Sequence, residues 1–159
     1  MDKEAATELL LDGARYGDED DVAHALDEGA DVDGPGPTGS TALHMAAANG
    51  HTNIIKLLVK DGANVAAANS EGNTALHWAA MNHQVDAVRL LLEAGASPSA
   101  INGRDETPVD EALRRDYSDI MELINSFSAP GTDVTDTKGV DEFDEEEEAN
   151  EPSAPAAQE

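Results

Sequence analysis

The 159-residue chain has no cysteine and few aromatic residues: two Phe, two Tyr and one Trp. Without cysteine there is no disulfide scaffold, thiolate metal site or cysteine nucleophile. With so few aromatics, burial has to rely on Ala, Leu, Ile and Val. Basic residues are scarce too, nine against 34 acidic ones, for a net charge of −25. A surface this negative repels phosphate backbones and anionic lipid. This argues against nucleic acid and membrane as direct partners and for basic proteins. No apolar run reaches the length of about 18 residues needed for a membrane span. The start Met1-Asp2-Lys3-Glu4 has no apolar run after a positive flank, unlike a signal peptide. The expectation is a soluble cytoplasmic monomer whose mass of 16.6 kDa permits passive entry into the nucleus.

What the sequence does contain is a period. Thr41-Ala42-Leu43-His44 recurs as Thr74-Ala75-Leu76-His77 and, more weakly, as Thr107-Pro108-Val109-Asp110, each copy 33 residues after the last. Gly29-Ala30, Gly62-Ala63 and Gly95-Ala96 keep the same step, as do Gly17 with Gly50 and Leu58 with Leu91. Unrelated features in phase over three copies mark a repeat architecture. Thr41 and Thr74 sit where an N-cap is wanted, before short Ala-rich helices. Gly50, Gly62 and Gly95 are placed to end helices in the left-handed region. His83 stands where a glycine would end a helix, which costs some strain. Ile54, Ile55 and Leu58, with Val88, Leu91 and Leu92, give the second helix of each copy an apolar side. That side is buried only by stacking against the next copy.

Gly39-Ser40-Thr41-Ala42-Leu43-His44-Met45-Ala46-Ala47, Gly50-His51 and Gly62-Ala63, together with Gly72-Asn73-Thr74-Ala75-Leu76-His77-Trp78-Ala79-Ala80, resemble the ankyrin-repeat family. The resemblance implies an all-α solenoid of four helix-turn-helix repeats with β-hairpin loops, at about residues 4–36, 37–69, 70–102 and 103–127. Residues 1–127 form that domain. The outer copies depart from the pattern. Glu8-Leu9-Leu10-Leu11 opens the first, and in the last Asp105 and Asp116 replace the turn and helix-ending glycines while Asp110 replaces the histidine. Phe127 is placed to fold over the last helix. Residues 128–159 hold 11 acidic residues and Lys138 alone as a base, and their composition predicts a disordered acidic tail. Within it, Phe143 interrupts the run Asp141, Glu142, Asp144, Glu145, Glu146, Glu147 and Glu148. Such a tail serves solubility or competes for a basic surface, with Phe143 as an anchor.

Catalytic patterns are missing. The five histidines (His24, His44, His51, His77 and His83) form no His-Glu-x-x-His pair, and there is no calcium-loop or phosphate-loop spacing. Gly34-Pro35-Gly36-Pro37 reads as a turn. His44 and His77 occupy equivalent positions that the family uses for hydrogen bonds within and between turns. The expectation is a non-enzyme without cofactor or metal.

The resemblance also implies where a partner binds: a concave groove made by loop tips and the exposed side of the first helices. In register, that side carries Asp12, Met45, Trp78 and Glu111, then Arg15, Ala48, Met81 and Arg114, then Tyr16, Asn49, Asn82 and Arg115. Trp and Tyr are favoured anchors and Met adapts to irregular partners. Trp78 either anchors a partner or fills space between first helices. A second surface is the acidic patch Asp18, Glu19, Asp20, Asp21, Asp27, Glu28, Asp31 and Asp33. Residues 1–33 hold 12 acidic residues against two basic ones.

Within the family, the chain is similar to eukaryotic dedicated chaperones that shield a basic KH-domain protein of the small ribosomal subunit until it enters pre-ribosomes. The resemblance therefore implies an escort of a basic, ribosomal partner. The copies here keep regular length, whereas those chaperones carry longer insertions. The alternative is a regulatory scaffold or inhibitor that holds a kinase or transcription factor in the Met45–Trp78–Met81 groove.

Overall fold

A computed structural model describes residues 1–128. The chain divides into two units, Met1–Ile124 and Asn125–Glu159, a few residues ahead of the boundary expected from composition. The acidic tail, with Asp141 to Glu148, lies outside the described residues. Eight helices follow one another: α1 (Lys3–Tyr16), α2 (Glu19–Asp27), α3 (Ala42–Asn49), α4 (Thr52–Lys60), α5 (Ala75–Met81), α6 (Val85–Glu93), α7 (Pro108–Arg114) and α8 (Ser118–Ser128).

The helices start where the caps dictate. Thr41, Thr74 and Thr107 accept hydrogen bonds from the backbone N–H groups of His44, His77 and Asp110, and in each case that third residue reaches back to the cap backbone. This reciprocal arrangement satisfies two donors that the helix start would otherwise leave unpaired. α1 starts earlier, on an Asp2 cap, and so runs 14 residues where α3 has eight. The first helices end on left-handed residues in one register: Gly17, Gly50, His83 and Asp116, at φ of 82°, 72°, 58° and 60°. The last two carry side chains in a conformation that suits glycine, the strained substitution the sequence predicts.

Within the first unit α1, α3, α5 and α7 stack as one row, and α2, α4 and α6 as a second row behind it. The core lies between them. Leu10, Leu43 and Leu76 come from the first row, and Val22, Ile54, Ile55, Leu58, Val88 and Leu91 from the second, all buried. Ala14, Ala47 and Ala80 are fully buried, and their small size is what lets neighbouring helices approach. Phe127 is exposed.

The loops turn back as expected, but among the described residues none is a β-strand. Each tip has a single N–H···O rung, Gly36 to Ser40, Asn69 to Asn73 and Asn102 to Glu106, besides the bond within the turn from Gly39 to Gly36, Gly72 to Asn69 and Asp105 to Asn102. One rung is too short for a ladder. Two further donors reach sideways, Ser70 N–H to the Thr38 carbonyl and Gly103 N–H to the Glu71 carbonyl, which ties each tip to its neighbour.

Candidate partner-binding surface

Two polar ladders fix the loop tips that border the first helices. His44 and His77 are fully buried. Nδ1 of each accepts from the backbone N–H of Thr41 or Thr74, 3.1 and 3.2 Å away. An acceptor at Nδ1 leaves the proton on Nε2, which donates to the Asn73 carbonyl at 2.7 Å or the Glu106 carbonyl at 2.8 Å, in the next loop. Burial holds both imidazoles below the ordinary histidine pKa, in the neutral form this bridge needs. The second ladder runs through buried asparagines. Asn69 donates to Ser40 Oγ at 3.2 Å, and Asn102 donates to Asn73 Oδ1 at 2.9 Å and to Glu111 Oε2 at 3.2 Å. The sequence reading missed this ladder, although Asn69 and Asn102 share the 33-residue step.

On this frame the groove positions differ in kind. Asp12 is exposed and 3.5 Å from Arg15, and Tyr16 is 74% exposed with the Arg15 guanidinium 5.9 Å from its ring centre. Met45, Trp78 and Met81 are half-buried. The Trp78 ring stands edge-on to His44, with centroids 5.4 Å apart. It therefore covers the buried ladder with one side and keeps part of its surface open. Asn49 and Asn82 are exposed, yet their amides donate to the Met45 and Trp78 carbonyls at 3.0 and 2.8 Å, closing the ends of α3 and α5.

Glu111 is a correction. Its register places it beside Met45 and Trp78, but its side chain is fully buried and presents no carboxylate to a partner. Arg114 lies 2.7 Å, Arg115 2.9 Å and Arg104 3.1 Å from its oxygens, and Arg104 and Arg114 also pair with Glu106. Arg115 also takes the Glu111 carbonyl, as Asn82 and Asn49 take the Trp78 and Met45 carbonyls one and two copies earlier. Burying a carboxylate requires such compensation. The signal was in the sequence: Arg114 and Arg115 sit three and four residues after Glu111, one helical turn away. The three arginines that hold it, Arg104, Arg114 and Arg115, have side chains that are 34 to 65% exposed.

The acidic patch is partly structural. Asp18 caps α2, Glu19 accepts from the Asn53 amide at 3.1 Å, Asp31 accepts from the Asp33 N–H, and Asp33 accepts from the Asn64 N–H at 2.8 Å. Glu28 lies 3.7 Å from the N-terminal ammonium. Asp20 and Asp27 are exposed and Asp21 is half-buried. Among the described residues no three His, Asp or Glu side chains are placed to hold a metal ion, and no helix is long and apolar enough to cross a membrane.

Paired helices stacked in two rows, joined by tips that bond to one another, define a repeat scaffold for binding proteins. Residues 10–102 match the family of ankyrin repeats in three copies, more than half of the chain, and the protein belongs to that family. The pair α7–α8 lies beyond the matched range. No curated protein aligns with the chain closely enough to count as a relative.

Proposed function

We propose that the protein binds and escorts a basic protein, shielding lysine- and arginine-rich surface that would otherwise take up RNA or aggregate, and that α7–α8 is a fourth, capping repeat of the scaffold. The observation that carries this reading is the charge of the first copy: residues 1–33 hold 12 acidic residues and two basic ones, on a surface where Asp12, Asp20 and Asp27 are exposed. The groove changes character along its length. Exposed Asp12 and Tyr16 stand at its α1 end and Met45, Trp78 and Met81 give it an apolar middle, while Arg114 and Arg115 lie at α7; the acidic residues of α2 belong to the row behind. The basic stretch of the partner lies over the first copy, away from Arg104, Arg114 and Arg115. Ribosomal proteins are the first partner class to test, in cytoplasm and nucleus alike.

The second reading, a scaffold or inhibitor for a kinase or transcription factor, is favoured by the partly open Trp78. One experiment separates the two: affinity capture on the full chain at rising salt, with the Trp78→Ala variant in parallel. The escort predicts basic partners released by salt, because screening over about 8 Å removes steering charge. It also predicts little loss with Trp78→Ala. A groove-driven complex loses more than about 2 kcal/mol with Trp78→Ala and resists salt. Retention of no basic protein in dilute buffer refutes the escort.

A further inference from the structure

Away from the groove, the second helices form a cleft of their own. It measures about 230 Å³ and lies between α4 and α6, lined by Ile55, Val59, Leu90 and Ala94 with Lys56 and Lys60 at its edge. No first-helix residue contributes. Ile55 is buried and forms the floor, while Val59, Leu90 and Ala94 are half-buried. Lys56 and Lys60 are one helical turn apart, both exposed, and neither has an ion-pair partner among the described residues. They are two of only nine basic residues in a chain of net charge −25. The repeat supplies an internal control. One copy earlier, between α2 and α4, the equivalents of Lys56, Lys60 and Ala94 are Ala23, Asp27 and Asp61. The cationic edge therefore belongs to this junction and not to the one before it.

We propose that this cleft is a second docking site, which takes one large apolar side chain of a partner segment whose flanking residues are acidic. The volume suffices, since an apolar cavity of about 150 Å³ accommodates benzene. The lysine stems extend the apolar wall while their ammonium groups stay in water to meet carboxylates. The site would let one chain hold a basic surface in the groove and an acidic segment behind it. It does not depend on the groove reading.

The test uses the full chain, isotope-labelled for amide NMR. The probe is a synthetic decapeptide with a central Phe-Leu pair and glutamate flanks. Saturable binding below about 1 mM is expected. Shifts should cluster on residues 55–60 and 90–94. Replacing the central Phe-Leu pair by alanine, or the flanks by lysine, should weaken binding by about tenfold or more. Lys56→Gln/Lys60→Gln should do the same with the amide spectrum otherwise intact, and Trp78→Ala should leave binding unchanged. No saturation in that range, or shifts that centre on Met45 and Trp78, overturns the proposal. So does self-association of the chain that Lys56→Gln/Lys60→Gln abolishes, because the occupant would then be a second copy.

Discussion

Acidification below about pH 6.5 should destabilise this protein through two buried rings, His44 and His77. Each is neutral in the fold, with Nδ1 accepting from a threonine N–H and Nε2 donating to a carbonyl in the next loop. Protonation puts a donor at Nδ1 against another donor, so the folded state resists it. In the unfolded chain each ring titrates near 6.5. The folded value is lower because of burial. Below about 6.5 the unfolded state then holds more protons, and stability falls with pH until the folded value is passed. Above 6.5 the contribution is complete and flat. Each ring supplies at most about 1.4 kcal/mol per pH unit inside that window, so the two together supply up to roughly 2.7. Carboxylates titrate about two units lower and so contribute little within this window. Urea unfolding across that pH range, followed by circular dichroism and by the fluorescence of the single Trp78, measures the slope. The control is His44→Gln/His77→Gln. Glutamine still serves the reciprocal cap but has no proton to gain, and it costs about 1–2 kcal/mol per site by losing the bridge to the next loop. The double variant should start lower and show a shallower slope. Parallel curves for the two proteins would refute the reasoning.

Three further substitutions test the frame by equilibrium urea unfolding. Glu111→Gln should cost about 1–3 kcal/mol, less than the loss of a fully buried pair, because its three arginines are partly exposed and regain water. A change under about 0.5 kcal/mol would mean that the carboxylate does not organise them. Asp116→Gly should stabilise by about 0.5 kcal/mol, and Gly62→Ala should destabilise by about 1 kcal/mol. Asp116 has φ 60° and Gly62 has φ 91° with open space around a would-be Cβ, so only backbone strain changes. Effects of equal sign at the two sites would contradict the left-handed assignment.

Most of the frame was legible in the sequence because it depends on backbone conformation and side-chain size, which recur with the period. Thr41, Thr74 and Thr107 all cap, and His83, Asp105 and Asp116 all take the left-handed backbone of the glycines they replace. What escaped is whatever depends on neighbours distant in sequence. Register alone put Glu111 beside Trp78. Only the fold shows Arg104 and Asn102 closing over it from the loop before α7. In the same way His51 and Gln84 share a position, and each donates across the stack to the last turn of the preceding first helix, at the Arg15 and Ala48 carbonyls. Tyr117, next in that series, stacks on His83 at 4.3 Å.

These substitutions within one register separate structure from recognition. Leu10, Leu43 and Leu76 never change chemistry, because every copy must bury the same side against the next. The row Asp12, Met45, Trp78 and Glu111 changes at every step, and so does the row Ala23, Lys56, Arg89 on the second helices. A stack needs neither variation in order to stand. Glu111 has a demonstrated structural cause in its three arginines, which removes it from the partner surface. Tyr16 and Lys56 have no such cause beyond their own helix, and those exposed, out-of-pattern positions are where a partner is to be sought.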